Sequence, residues 1–220
     1  MRLKCLGSGS SGNCYLIEND TECLVIEQGI SFREVKIALD FDISKIVGAV
    51  QSHSHGDHAA YEKDFTKCGI QVFHPGEGKM SFKCGGFRIQ AFKCVHDVPC
   101  YGFVIWHKDF GSMVFATDTE YVPVNFQKLK PNILMVECNY QDRYLHEGID
   151  MKQNRQYGTH MEEQTTIRFV DANNTEDLRT VILLHMSDTA CNPFEAQDAF
   201  RKKFKNIAVY IAQKGFEVEL

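Results

Sequence analysis

Two β-sheets packed together with helices outside, in a mixed α/β chain, is the fold class that the sequence predicts, and three observations lead to it. The chain opens with short apolar runs separated by turn residues, residues from about 70 to 116 read almost wholly as strand, and after Asn132 strands alternate with amphipathic helices. The length of 220 residues is about one and a half times a typical ~150-residue domain. No internal repeat, linker or low-complexity segment divides it, so residues 1–220 are expected to form a single domain.

Element by element, Leu3 to Leu6 reads as a strand, Gly7-Ser8-Gly9-Ser10-Ser11-Gly12-Asn13 as a turn, and Cys14 to Glu18 and Glu22 to Glu27 as two further strands. Ser31 to Leu39 carries apolar residues at Phe32, Val35, Ile37, Ala38 and Leu39 behind an N-capping Ser31, the pattern of an amphipathic helix. Ile46 to Gln51 is a short buried strand that runs straight into Ser52-His53-Ser54-His55-Gly56-Asp57-His58. Strands follow at Ile70 to Phe73, Gly86 to Phe92, Tyr101 to Trp106, Ser112 to Ala116 and Ile133 to Glu137. A helix from about Met161 to Ala172, a strand Val181 to Leu184, a helix from Pro193 to Phe204 and a strand Ala208 to Ile211 complete the series, with Asn192 and Pro193 as N-cap and N1.

Composition excludes several classes. With 44% hydrophobic and 24% charged residues the chain is that of an ordinary globular protein, neither collagen-like, disordered nor coiled-coil. The formal charge of −5 argues against a surface built to coat nucleic acid, while leaving room for a local basic groove. Apolar stretches such as Ile133 to Val136 and Val181 to Leu184 fall far short of the ~20 residues that span a bilayer, so no membrane segment is expected. Met1-Arg2-Leu3-Lys4-Cys5 lacks the apolar stretch of a secretory signal. The 9 cysteines are odd in number, scattered and free of Cys-x-x-Cys pairs, which reads as reduced thiols and a cytoplasmic location.

The chemistry concentrates at His53, His55, Asp57 and His58. Three imidazoles and a carboxylate within six residues, at the C-terminal end of a strand, converge on one point if the chain turns there, and Gly56 permits the turn. Nitrogen and carboxylate oxygen donors suit Zn²⁺ or Mn²⁺, with Fe²⁺ also possible, and four donors exceed what one catalytic ion takes from so short a segment. Two divalent metal ions are therefore expected, with further ligands at other strand ends. His96, Asp118 and His185 each follow an apolar strand. Singly, each reads equally well as a polar strand-end residue; together they complete a set.

On these residues the chain resembles the metallo-β-lactamase superfamily over almost all of its length. The signature is His53-x-His55-x-Asp57-His58, followed in order by His96, Asp118 and His185. The resemblance implies a four-layer αββα sandwich of two mixed sheets flanked by helices. It also implies His53, His55 and His96 as ligands of a first metal, Asp57, His58 and His185 as ligands of a second, and Asp118 as a bridge. Where many members have an aspartate closing the strand before the first helix, this chain has Glu27. That residue buttresses the metal loop in the family, so the longer side chain bears on the support of the site rather than on its existence.

A pair of ions ~3.5–4 Å apart acidifies a shared water, so hydrolysis through a bridging hydroxide is the expected reaction. The segments Met135 to Tyr140, His160 and His185-Met186-Ser187 resemble, in order, those of ribonuclease Z-like phosphodiesterases. There a glutamate after a strand pairs with a histidine near the scissile phosphate, which makes Glu137 and His160 the matching catalytic pair alongside Asp57 and Asp118. A helix-capping or solvent-facing His160 is the other reading. Gly7 to Asn13 and Ala116 to Tyr121 resemble the small bacterial exonucleases of the superfamily, and the backbone amides of that turn are candidates for a phosphate cradle. Met161-Glu162 in place of a small hydroxyl pair, and the lack of a long Gly-rich insertion, argue against transfer RNA processing. The resemblance thus implies a phosphodiesterase or nuclease with a nucleic acid or nucleotide substrate. The alternative is an acyl hydrolase of the lactonase or glyoxalase kind, disfavoured because only 35 residues follow His185. The basic run Arg201-Lys202-Lys203-Phe204-Lys205 suits a solvated helix end better than a nucleic-acid contact, and His74, His107 and His146 receive no role.

Overall fold

The computed structural model describes residues 1–76, 78–145 and 158–220, and His146 lies outside them. Thirteen strands are present among these residues. They are β1 (Arg2–Gly7), β2 (Cys14–Glu18), β3 (Cys23–Ile26), β4 (Ile46–Val50), β5 (Val72–Phe73), β6 (Ser81–Cys84), β7 (Phe87–Lys93), β8 (Tyr101–His107), β9 (Gly111–Ala116), β10 (Ile133–Glu137), β11 (Thr180–Leu184), β12 (Ala208–Ile211) and β13 (Glu217–Glu219). One sheet has 6 strands in the order β13-β1-β2-β3-β4-β5 and the other has 7 in the order β12-β11-β10-β9-β8-β7-β6. Both are mixed. In the first, β13, β1, β2 and β3 pair antiparallel and β3, β4 and β5 parallel. In the second, β9 to β12 are parallel and β6 pairs antiparallel with β7.

The burial pattern follows the sequence. Every residue of β2, β3 and β10 is buried, as expected of apolar runs covered on both faces. Along β7 burial alternates up to Ala91, so Phe87, Ile89 and Ala91 point inward while Arg88 and Gln90 are exposed.

The chain divides into two units. The first comprises Met1–Ala91, Ile105–Phe110 and Ala212–Leu220, the second Phe92–Val104 and Gly111–Ile211. In the first unit, helix α1 (Phe32–Ala38) lays Phe32 and Val35 on a core that includes Leu16, Val25, Ala49 and Phe65, with the Phe32 and Phe65 rings 4.6 Å apart. Ser31 occupies the N-cap position as predicted, yet its hydroxyl makes no capping bond. Two further helices, α2 (Gly56–Ala59) and α3 (Glu62–Lys67), were not predicted.

In the second unit, α4 (Glu163–Ala172) begins two residues later than the sequence suggested, because the Glu162 carboxylate accepts from the amides of Gln164 and Thr165 and so acts as the cap. His160 and Met161 consequently lie in the segment entering the helix. Helix α5 (Pro193–Lys203) starts where predicted, with the Asn192 side chain accepting from the amides of Phe194 and Glu195. Its basic end is engaged locally: Lys202 pairs with Asp198 and Lys203 with Asp171. Among the described residues no helix is long and apolar enough to cross a membrane.

Candidate metal centre

The first unit supplies the opening histidine cluster from the ends of β3 and β4. Glu27 follows β3 with φ +66°, fully buried. Its two carboxylate oxygens accept from the Ser52 amide at 3.2 and 3.3 Å, and Oε2 lies 3.4 Å from His58 Nδ1. The longer side chain therefore still reaches both the strand end and the metal loop. His53 Nδ1 lies 2.8 Å from Ser52 Oγ, which orients the ring, and His53 Nε2 lies 3.1 Å from His55 Nδ1. His55 is the N-cap residue of α2, which then places Asp57 and His58 one and two residues after Gly56. His58 Nε2 is 3.3 Å from Asp57 Oδ2.

The turn at this cluster does not depend on glycine, contrary to the sequence reading. A Cβ on Gly56 would meet nothing within 4 Å and its φ is ordinary. The sterically required glycine is Gly29: a Cβ there would overlap the Asp57 carbonyl. That close approach is locked by three backbone bonds, Gly29 N–H to Asn13 O at 2.9 Å, Asn13 N–H to Asp57 O at 2.7 Å and Gln28 N–H to His58 O at 2.7 Å. Asn13 adds its side chain, with Nδ2 2.9 Å from His58 Nε2 and 3.4 Å from Asp57 Oδ2. The Gly/Ser turn is thus a clamp on the metal loop. Its amides at Gly9, Gly12 and Asn13 are bonded within the protein, which removes them from the phosphate cradle considered from sequence.

The second unit holds His96, Asp118, Glu137, His160 and His185. His96 Nδ1 donates to the Thr159 carbonyl at 3.1 Å, leaving Nε2 with the lone pair a ligand needs. Burial pushes the His96 pKa down against the opposing pull of Asp118, favouring the neutral imidazole. Asp118 follows β9 and His185 follows β11, both in the left-handed region at φ +50° and +49°. Together with Glu27, these are three non-glycine residues in a conformation that costs of order 1–3 kcal/mol each and that clusters at functional sites.

Glu137 closes β10, is fully buried, and gathers four groups. Its Oε1 lies 2.6 Å from His160 Nδ1 and 3.3 Å from His185 Nδ1, and its Oε2 accepts from the amides of Thr119 at 3.0 Å and Met161 at 3.2 Å. Burial alone would raise the Glu137 pKa, but the charge and hydrogen bonds of His160 and His185 override it and hold it low. Burial likewise opposes protonation of His160, and Glu137 reverses that, raising the His160 pKa. The His160 and His185 rings stack at 5.2 Å. Ligand atoms of Asp118, Glu137, His160 and His185 all lie within 4.8 Å of one another. Asn139 Nδ2 donates to the backbone carbonyl of His185 at 2.7 Å and so holds it from behind.

Each unit therefore brings its predicted site residues together. Sequence reasoning missed the supporting partners Asn13, Ser52, Thr119, Asn139 and Thr159. Asn13 and Asn139 carried a signal, since an asparagine directly after a glycine turn or just beyond a strand end is a frequent backbone-bonding position. Thr119 and Thr159 act through tertiary contacts alone, whereas Ser52 joins the neighbouring His53 ring to the distant Glu27 carboxylate.

Residues 7–60 match the model of the metallo-beta-lactamase superfamily, and the two mixed sheets flanked by helices are the fold of a solved metallo-beta-lactamase fold protein that aligns over the whole chain. Among curated proteins the chain is similar to the exodeoxyribonuclease WalJ of Streptococcus pneumoniae, 24% identical over 65% of this chain and 64% of that protein, so the match spans just under two thirds of the relative. Among solved structures it is similar to the metallo-beta-lactamase fold protein YhfI from Bacillus subtilis, with TM-score 0.72, 18% identity, and 100% and 99% of the two chains covered. It is also similar to human tRNase Z, short form, with TM-score 0.65, 14% identity, and 100% and 99% covered.

Proposed function

We propose that the protein is a dinuclear metal-dependent phosphodiesterase, an exonuclease, acting on nucleic acid or nucleotides. The observation that carries this reading is the 2.6 Å contact between Glu137 and His160, set in one cluster with Asp118 and His185. The donors fit the group. In one unit two imidazole nitrogens approach to 3.1 Å beside a carboxylate, and in the other buried carboxylate and imidazole donors converge; this is the donor chemistry of Zn²⁺ or Mn²⁺, with Fe²⁺ also admitted. His53, His55 and His96 would hold one ion, Asp57, His58 and His185 the other, and Asp118 both. When bound, such ions supply the Lewis acidity that polarises the scissile ester and makes water nucleophilic near neutral pH.

The chain's own residues do the rest. Glu137 accepts from His160 Nδ1, fixes its tautomer and favours its protonated form, so that Nε2 presents a proton to the leaving oxygen. Glu27 and Asn13 hold the loop of Asp57 and His58 in place. The chain crosses between its two units four times, and each carries only part of the ligand set, which supports one functional domain over residues 1–220. The names of the relatives, an exodeoxyribonuclease and a tRNase, support a nucleic acid substrate. The 9 cysteines, most of them buried, support a reducing cytoplasmic compartment.

The test is to incubate protein loaded with Mn²⁺ or Zn²⁺ with labelled DNA and RNA oligonucleotides bearing 5′-phosphate or 5′-hydroxyl ends, with Asp57→Ala as the blank. Metal-dependent cleavage absent from the blank is expected, and His160→Ala is expected to lower turnover by about 10²–10⁴-fold with metal content unchanged. No cleavage by fully loaded protein, with thioesters or lactones hydrolysed instead, would overturn the reading.

A further inference from the structure

The hairpin at the edge of the seven-stranded sheet places two cations face to face. Across β6 and β7, Lys83 stands directly opposite Arg88, and Ser81 opposite Gln90. Ser81 Oγ donates to Gln90 Oε1 at 3.0 Å, but neither cation has a carboxylate partner among the described residues. Like charges directly opposite one another weaken a strand pair unless an anion lies between them. Residues 78–91 hold three cations, Lys79, Lys83 and Arg88, and no carboxylate, so the remainder of the chain carries −8 against an overall −5. This is the local basic groove that the overall charge left room for.

Beside the pair lies a cavity of about 450 Å³, lined by Phe82, Lys83, Arg88, Ile89 and Trp106. Trp106 is the only tryptophan in the chain. The cavity thus sets an indole beside two cations. A flat ring for the indole joined to a repeating anion for the cations is the chemistry of a nucleotide strand. An acidic peptide would satisfy the cations and leave the indole without a partner.

We propose that this cavity binds single-stranded nucleic acid, with a base against Trp106 and backbone phosphates on Lys83 and Arg88. The inference extends the phosphodiesterase reading from the reacting bond to the strand that carries it. It is tested without turnover, so either can fail alone.

The lone tryptophan is its own probe. Its fluorescence is followed in EDTA while a single-stranded oligothymidylate of about 12 nucleotides is added at several salt concentrations. Saturable quenching is expected. Lys83→Glu combined with Arg88→Glu is expected to weaken binding at least about tenfold and to reduce the slope of log K against log salt by roughly 1.4, two phosphate contacts at ~0.7 each. Trp106→Leu, followed by anisotropy of a labelled strand, is expected to weaken binding about tenfold, with circular dichroism checking that each variant is folded. Unchanged fluorescence of the unsubstituted protein at saturating strand, equal quenching by polyglutamate, or undiminished affinity of the folded double variant would each overturn the proposal. Quenching without nucleolytic cleavage would leave this site standing and sink the catalytic reading.

Discussion

Replacing Gly29 by alanine tests the clamp on the metal loop in the most direct way. A methyl there would be driven into the Asp57 carbonyl, with the Asn13 amide nitrogen 2.7 Å away. Both obstacles are backbone, so no rotamer change relieves the overlap. Overpacking of this kind costs about 1–3 kcal/mol, and displacing the segment strains the three backbone bonds that join Gly29, Asn13, Asp57, Gln28 and His58, each worth about 1 kcal/mol. A loss of ~3 kcal/mol lowers the melting temperature of a protein of this size by about 6–12 °C. The assay is calorimetry together with metal content by mass spectrometry after equilibration with limiting Zn²⁺. Gly56→Ala, one residue before Asp57 and sterically open, is the internal control and is expected to melt within about 2 °C of the unsubstituted protein with full metal content. Equal stability and metal content for Gly29→Ala, or equal damage from Gly56→Ala, would refute the reasoning.

Other substitutions probe neighbouring features. Glu27→Asp shortens the side chain by one methylene, so it cannot span both the Ser52 amide and His58 Nδ1; metal affinity measured by chelator competition is expected to fall about 10–100-fold, even though aspartate is the residue common in the superfamily. Asn192→Ala removes the cap of α5 and is expected to cost about 1 kcal/mol, read from the denaturant midpoint. Glu18 is buried near Lys4 Nζ at 2.7 Å and Lys45 Nζ at 3.1 Å; burial raises its pKa, but the two ammonium groups prevail and hold it below the ordinary carboxylate range. A depressed pKa means that the stabilisation is complete above the unfolded value and disappears as pH falls through the folded one. The stability gap between the unsubstituted protein and Glu18→Gln is thus expected to be full at pH 7 and to close below about pH 4, in denaturation curves taken across that range.

Much of this architecture was legible in the sequence because its strands are continuous apolar runs. Ile133 to Glu137 and the stretch ending at Leu184 state their burial outright, and a polar residue just beyond such a run is conspicuous. Residues 56–67 gave no such signal. Only His58 and Phe65 are buried in α2 and α3, too few to show a helical period. Strand β13 has three residues, Glu-Val-Glu, and owes its pairing to β1 rather than to any pattern of its own. The left-handed backbone at Glu27, Asp118 and His185 was invisible for a different reason: aspartate and histidine enter that region more often than other non-glycine residues, yet far more often lie outside it, so residue type alone does not announce it. The pairing of Glu137 with His160 was legible only through family resemblance, because 22 intervening positions separate them and nothing local links a strand end to a distant turn.

The convergence at Glu137 restricts the routes by which this protein can change. Two histidines and two amides share one dehydrated anion, so substituting either ring away leaves that anion short of a donor, and substituting the anion leaves four donors without an acceptor. The effects of single changes at Glu137, His160 and His185 will not add. A descendant lineage that abandons this chemistry must cross a valley of poorly folded intermediates or alter several positions together, so the trio is expected to persist or vanish as a block.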